Sequence, residues 1–197
     1  EKWRKRSPWY LAGGTALALH VGHRQSVDLD FFSPRDGFSP ASITKHFPKG
    51  SWVTHIQREG TLYGKLFGAK MSFIAYPFFI PKEPVERYGS VRVLPPRDIA
   101  VMKIVAISQR GSKRDFVDLY WHVREIEPFI GVLRRLPDQY PTVAHNYHHI
   151  LKSLMYFEDA ENDPMPKLFF RADWRTIKAY FRREVPKVAR KLLKLGK

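Results

Sequence analysis

A Pro95-Pro96 pair divides the chain into two stretches of different periodicity, and that break limits the folds open to it. Before it, apolar residues come in short alternating runs. Trp52 to Arg58, Thr61 to Phe67 and Lys70 to Tyr76 read as three strands joined at Glu59-Gly60 and Gly68-Ala69, spacings that suit successive hairpins. Upstream, a short strand from Tyr10 to Ala12 meets a Gly13-Gly14 turn and a helix opened by Thr15 and closed near Gly22. Val27 to Phe32 reads as a strand with Val27, Leu29 and Phe31 on one face and Asp28, Asp30 and Phe32 on the other. Ser39-Pro40 predicts a helix running to Phe47, and Ser90 to Leu94 one more strand.

After the break the period becomes helical. Asp98 can cap a helix to Arg110, stopped by Gly111. Phe116, Leu119, Tyr120 and Val123 predict a helix over Lys113 to Glu125, and further helices fit Ile126 to Leu136, Ala144 to Phe157 and Trp174 to Leu195. In the last, Trp174, Ile177, Phe181, Val185, Val188, Leu192 and Leu195 step by three or four, with the basic residues opposite, and Pro186 is expected to kink or divide it. The fold class is α/β of the α+β kind. A mixed sheet flanked by helices is expected in residues 1–94, and a helical domain in residues 95–197.

With 197 residues, 44% of them hydrophobic, the chain can bury one substantial core or two small ones. There is no cysteine, which excludes a disulfide framework, a thiolate metal site and a Cys nucleophile, and makes the cytoplasm the simplest compartment. The longest apolar stretch, Met71 to Ile80, contains Pro77 and is far short of the ~20 residues that span a bilayer, so no membrane partner is expected. No secretory signal is visible. The net charge of +15 points to an anionic polymer. It is concentrated at the ends. Residues 1–6 carry net +3, and residues 167–197 hold eleven Lys and Arg against Asp173 and Glu184, net +9.

Two features of the first half belong together. Gly13-Gly14-Thr15 lies between a strand and a helix N-terminus, where free backbone N–H groups favour an anion and glycines admit a phosphate closely. Thirteen residues on, Asp28 and Asp30 share one side of a strand and can hold a hard divalent cation between them. Triphosphate chemistry needs such a cation for charge neutralisation and in-line attack at the α-phosphate.

The stretches Tyr10-Leu11-Ala12-Gly13-Gly14-Thr15-Ala16-Leu17-Ala18-Leu19 and Arg24-Gln25-Ser26-Val27-Asp28-Leu29-Asp30-Phe31-Phe32 resemble the opening motif of the AbiEii/AbiGii nucleotidyltransferase toxins. These are toxins of type IV toxin–antitoxin systems within the DNA polymerase β-like nucleotidyltransferase superfamily. Asp98 to Ala106, Arg110, and Lys113-Arg114-Asp115-Phe116-Val117-Asp118-Leu119-Tyr120 resemble the later Lys and Lys-Asp-x-x-Asp motifs, with Arg114 in place of Lys. The resemblance covers about residues 8–124. It implies a nucleotidyltransferase-like sheet, an NTP substrate, Mg²⁺ or Mn²⁺ on Asp28 and Asp30, phosphate contacts from Gly13, Gly14, Thr15 and Ser26, and a cognate antitoxin. Lys103 would neutralise triphosphate charge, and Asp118 with Asp115 would form a late acidic motif beside the site. One departure is plain: the superfamily commonly supplies a third carboxylate from a later strand, and the corresponding strand, Lys70 to Tyr76, carries Ser72 there.

Bland readings stand beside these. Asp28 and Asp30 could be the polar face of an edge strand, though Val27, Leu29, Phe31 and Phe32 suggest burial that makes unneutralised carboxylates costly. Lys103 could snorkel, and Asp115 and Asp118 could pair with Lys113, Arg114 or Arg110 on a helix surface. Asp115, Asp118 and His122 would share one helical stripe. His20 and His23 could touch substrate but read as helix-end residues, His145, His148 and His149 could grip a metal but read as scattered histidines, and the run Phe73, Tyr76, Phe78 and Phe79 could be a base-stacking platform but reads as sheet core or interdomain packing. The sequence thus points to transfer of NMP from an NTP to an acceptor hydroxyl, tRNA foremost, with RNA held by the basic C-terminal helix. A non-catalytic nucleic-acid-binding protein on a degenerate scaffold, and NMP transfer to a protein hydroxyl, are the alternatives.

Overall fold

The paired strands form where alternation and short turns demand them. In a computed structural model, which describes residues 8–194, a seven-stranded mixed sheet is built from β1 (Tyr10–Ala12), β2 (Leu29–Ser33), β3 (Trp52–Arg58), β4 (Thr61–Leu66), β5 (Ala69–Ala75), β6 (Glu86–Tyr88) and β7 (Val91–Val93). Their order is β3-β4-β5-β2-β1-β7-β6, with β1 parallel to β7, β2 parallel to β5 and the other neighbours antiparallel. Among the described residues two helices lie in this half, α1 (Gly13–Val21) and α2 (Pro40–Thr44). Those described after Pro95 are α3 (Pro96–Gln109), α4 (Lys113–Glu125), α5 (Phe129–Arg134), α6 (Leu136–Gln139), α7 (Tyr147–Ser153), α8 (Glu158–Glu161) and α9 (Trp174–Lys194). No described helix is long and apolar enough to cross a membrane.

The period-two pattern of β2 and β5 divides the sheet's faces at the centre. Leu29 and Phe31 pair in register with Met71 and Phe73. With Ile43, Leu62, Phe38, Phe47 and Trp52 these form a small apolar cluster on one face, where Phe31 and Phe73 stack at 5.3 Å. Asp30 and Phe32, paired with Ser72 and Ile74, point the other way. The larger core joins β1 and β7 to α1, α3, α4, α5 and α9. On α9, Ile177, Phe181, Val185 and Val188 are buried as the helical spacing predicts, each worth ~1.5–3 kcal/mol of transfer free energy.

Several boundaries differ from the sequence expectation. The helix expected from Thr15 starts at Gly13, and the strand expected from Val27 starts at Leu29, with Val27 exposed. Strand β6, not anticipated, arises from pairing with β7 across a Gly89 turn at φ +59°. The helix expected over Ile126 to Leu136 divides into α5 and α6, with Pro137 in the first turn of α6. That expected over Ala144 to Phe157 shrinks to α7, which begins where Asn146 accepts the His149 amide at 3.0 Å. Pro186 does not divide α9, which continues through it. The basic residues 2–6 and Leu195 lie outside the described residues.

Candidate active site

Strand β1 ends at Ala12, and the chain turns into α1 through Gly13 at φ +70°, a conformation that favours glycine. A Cβ on Gly13 would stand 3.1 Å from Asp30 Oδ2, and one on Gly14 would collide with Arg24 Nη2 at 2.0 Å. Both glycines therefore let a carboxylate and a guanidinium close onto the first turn of α1, whose amides have no partner within the helix. The Thr15 hydroxyl donates to the Asp28 carbonyl, so the Ser26 hydroxyl is the donor in their 2.9 Å contact. Thr15 thus ties α1 to the loop that carries Ser26 and Asp28.

Gly13, Gly14, Ser26, Asp28, Asp30, Lys103 and Asp115 line one cleft of about 350 Å³, together with Arg24, Arg110, Ser112 and Arg114. Thr15 and Asp118 stand behind it. Asp28 and Asp30 are half-buried; Arg114 Nη1 donates to Asp28 Oδ2 at 3.0 Å, and the Ser72 hydroxyl donates to Asp30 Oδ1. Ser72 is the register partner of Asp30 on β5, so a hydroxyl faces the carboxylate on the strand where the resemblance leads one to expect a third acid.

Asp118 is the centre of a buried ion network. Arg24 grips it with two bonds, Nε to Oδ1 at 2.5 Å and Nη2 to Oδ2 at 2.9 Å, His23 Nε2 meets Oδ1 at 2.7 Å, and Lys103 Nζ meets Oδ2 at 2.7 Å. Lys103 also donates to Asp115 Oδ1 at 2.8 Å, while Ser112 and Arg110 hold Asp115 Oδ2 at 2.6 and 3.3 Å. Burial alone would push the Lys103 ammonium down and both carboxyls up; the opposite charges reverse this, raising Lys103 and lowering Asp115 and Asp118. All three are ionised through the neutral range. With two N–H bonds spent on carboxylates, the Lys103 ammonium retains one donor for a ligand.

Sequence reasoning found Lys103, Asp115 and Asp118 and offered Arg110 as a partner of Asp115, but not the Arg24 and His23 that hold Asp118. His23, expected at a helix end, is instead inside the network. His122, expected to share the stripe of Asp115 and Asp118, turns to Glu127 Oε1 at 2.8 Å. Arg24 had no signal beyond lying within the motif stretch, because its partner is 94 residues away.

The donor set suits a hard cation: two carboxylates and a hydroxyl, all oxygen. Among the described residues no group of three or more His, Asp and Glu could hold a metal, so the remaining coordination of a cation on this pair would fall to water and ligand oxygens. Charge agrees with this. Arg24, Lys103, Arg110 and Arg114 balance Asp28, Asp30, Asp115 and Asp118, so a bound cation would leave net positive charge for an anionic ligand.

The family described as nucleotidyl transferase AbiEii toxin, type IV TA system, matches residues 4–51 and 70–194, leaving out the whole β3–β4 hairpin. An uncharacterized protein of Aquifex aeolicus (strain VF5) is 36% identical over 187 residues, which cover 90% of this chain and 86% of that one. In fold, the chain is similar to MenT4, a nucleotidyltransferase toxin of Mycobacterium tuberculosis H37Rv, with a TM-score of 0.57 at 15% identity over 92% of this chain and 75% of that one. The family match takes in the glycine turn, the aspartate pair and both helices of the ion network, and the chain belongs to the AbiEii nucleotidyltransferase toxins of type IV toxin–antitoxin systems, a family of enzymes.

Proposed function

We propose that the protein transfers a nucleoside monophosphate from an NTP to an acceptor hydroxyl of RNA, tRNA foremost, as the cytoplasmic toxin of a toxin–antitoxin pair whose antitoxin restrains it. The observation that carries this is the joining, in one cleft, of the Gly13-Gly14 turn, the Asp28 and Asp30 carboxylates and the cationic trio Lys103, Arg110 and Arg114. In this reading residues 1–94 carry the nucleotide site, and residues 95–197 supply Lys103, the late acidic motif and the basic helix.

Each residue has a definite task. The α1 amides at Gly13 and Gly14, with Ser26, bind the β- and γ-phosphates. Thr15 keeps the Ser26–Asp28 loop against α1. Lys103 presents its free N–H to the triphosphate, held by Asp115 and Asp118 so that no reorganisation is needed as charge develops. Arg110 and Arg114 are exposed and reach phosphate oxygens as the pyrophosphate leaves. Asp28 and Asp30 would hold Mg²⁺ or Mn²⁺, which when bound neutralises phosphate charge and orients the α-phosphate. The acceptor oxygen bonds to the α-phosphorus, the bond to the bridging oxygen breaks, pyrophosphate departs with the electron pair, and the hydroxyl proton passes to solvent. Exposed Arg175, Arg182, Arg183, Lys187, Arg190 and Lys191 give α9 a cationic face for the sugar–phosphate backbone.

The test is incubation of the protein with each NTP labelled at the α-phosphate, Mg²⁺ or Mn²⁺, and total tRNA, beside the Asp28→Asn/Asp30→Asn double variant. Label on RNA with the wild type alone supports the reading and names the base. Ser72 in place of an acid favours a second reading, a nucleic-acid-binding protein without transfer. Absence of label on RNA and protein under every metal, with RNA binding intact, would establish that second reading. Label on protein instead of RNA would identify a protein acceptor.

A further inference from the structure

Sheet geometry gives the cleft a second, apolar half. Strand β2 runs antiparallel to β1, with Ala12 opposite Asp30 and Tyr10 opposite Phe32. Moving along β2 from Asp30 to Phe32 therefore moves away from the Gly13-Gly14 turn, by about 7 Å. The parallel neighbour β5 advances in step, from Ser72 to Ile74, and the chain continues to Tyr76, whose amide bonds Ser33 at 2.7 Å. Phe32, Ile74 and Tyr76 line the same cleft as the glycines, on the far side of the aspartates, with Met102 of α3.

The aromatic pair is rigidly supported. Phe32 and Tyr76 meet edge-to-face at 5.5 Å, Tyr10 stacks beneath Phe32 at 6.4 Å, and the Tyr76 hydroxyl is tied to that of Tyr140 at 3.2 Å. Beyond Tyr76, Phe78 packs edge-on at 6.0 Å and is 51% exposed, which extends the aromatic surface outward. Phe32, Ile74, Tyr76 and Met102 bring no charge to this part of the cleft.

In-line displacement sets which reactant comes here. The leaving pyrophosphate and the attacking hydroxyl occupy opposite sides of the α-phosphorus. With the β- and γ-phosphates on the Gly13-Gly14 turn and the α-phosphate at the aspartates, the attacking group must enter from the side of Phe32 and Tyr76. We infer that Phe32 and Tyr76 form the subsite for the terminal base of a single-stranded RNA acceptor, which stacks there and brings its ribose hydroxyl to the α-phosphate. This rests on the transfer reading above. Stacking on a neutral aromatic surface tolerates any base, so the subsite selects an unpaired end and not a sequence. The excess positive charge of the chain suits the strand that follows.

The test uses the full chain and a synthetic RNA hairpin whose unpaired tail ends in a fluorescent adenine analogue that is quenched on stacking. Wild type and Tyr76→Phe, which keeps the ring, are expected to quench the probe. Tyr76→Leu, which keeps apolar bulk without an aromatic face, and Phe78→Ser at the rim should lose part or all of the quench. The KM for RNA in transfer should rise about tenfold or more in Tyr76→Leu, with the KM for NTP unchanged. Circular dichroism melts separate misfolding from lost stacking, and Phe78→Ser changes only an exposed side chain. A rise in the KM for NTP instead would assign the aromatic surface to the incoming nucleotide and overturn the inference, as would unaltered quenching in both Tyr76→Leu and Phe78→Ser. Quenching in wild type without transfer under any NTP would overturn the transfer reading, and with it the acceptor role, leaving a surface that only stacks a base.

Discussion

Asp118 accepts from three side chains while being fully buried, so its environment depends on every partner remaining in place. Removing one partner of such a pair leaves charge stranded at low dielectric. Arg24→Met should therefore lower stability by about 3–5 kcal/mol, read as a fall in the urea midpoint, whereas Arg114→Met, at an exposed pair with Asp28, should change it by less than about 1 kcal/mol. The same network sets a pH response. Asp115 and Asp118 have folded-state pKa values below those of the unfolded chain, so their contribution is present above the ordinary carboxylate range and lost as pH falls through the folded values. Lys103 is raised, so its contribution is present at neutral pH and lost only above the ordinary lysine range. Unfolding free energy followed against pH should show this contribution level from about pH 5 to 9 and falling in acid. Lys103→Met should alter that acid limb; an unaltered limb would mean the network does not govern acid unfolding.

Among the elements, α9 does two things with opposite faces. Phe181 contacts Phe116 and Phe129 inside the core, and Phe181→Ala should cost about 3–5 kcal/mol in chemical denaturation. The exposed face carries the charge. Replacing Arg182, Arg190 and Lys191 together by Gln should weaken RNA binding uniformly across sequences and flatten the slope of log affinity against log salt by roughly one for each phosphate no longer neutralised. An unchanged slope would place RNA elsewhere. Elements also mark how far the sequence could be followed. The β3–β4–β5 meander was legible because two-residue breaks leave hairpins as the natural solution, and the α9 stripe because six apolar residues from Trp174 to Leu192 keep one helical period. Strand β6 was not, since Glu86-Arg87-Tyr88 has no alternation and exists by pairing with β7. At the site, Gly13, Asp28 and Asp30 could be picked out by local spacing. The roles of Arg24 and His23 could not, because long-range contacts define them. Tyr76 packs against the larger core, as its aromatic run suggests, but its place on the wall of the cleft depends on α3 opposite it and cannot be read from spacing.

For the whole molecule, the larger apolar core draws on β1 and β7 as well as on the helices after Pro95, although periodicity changes sharply at that point. Calorimetry should therefore record one unfolding transition for the full chain, and two resolved transitions would mean that residues 1–94 and 95–197 fold separately. Contacts that close the site are equally long in sequence. Arg24 waits for Asp118, 94 residues later, and the Gln25 amide bonds the Lys167 carbonyl beyond even that. A ribosome adding ~5–20 residues per second produces the glycine turn and both aspartates several seconds before the groups that lock them. The ion network cannot assemble on a chain still missing Asp118, so a nascent chain or fragment that ends before that residue has the glycine turn and both aspartates but not the buried contacts that fix Arg24 and Lys103 beside them.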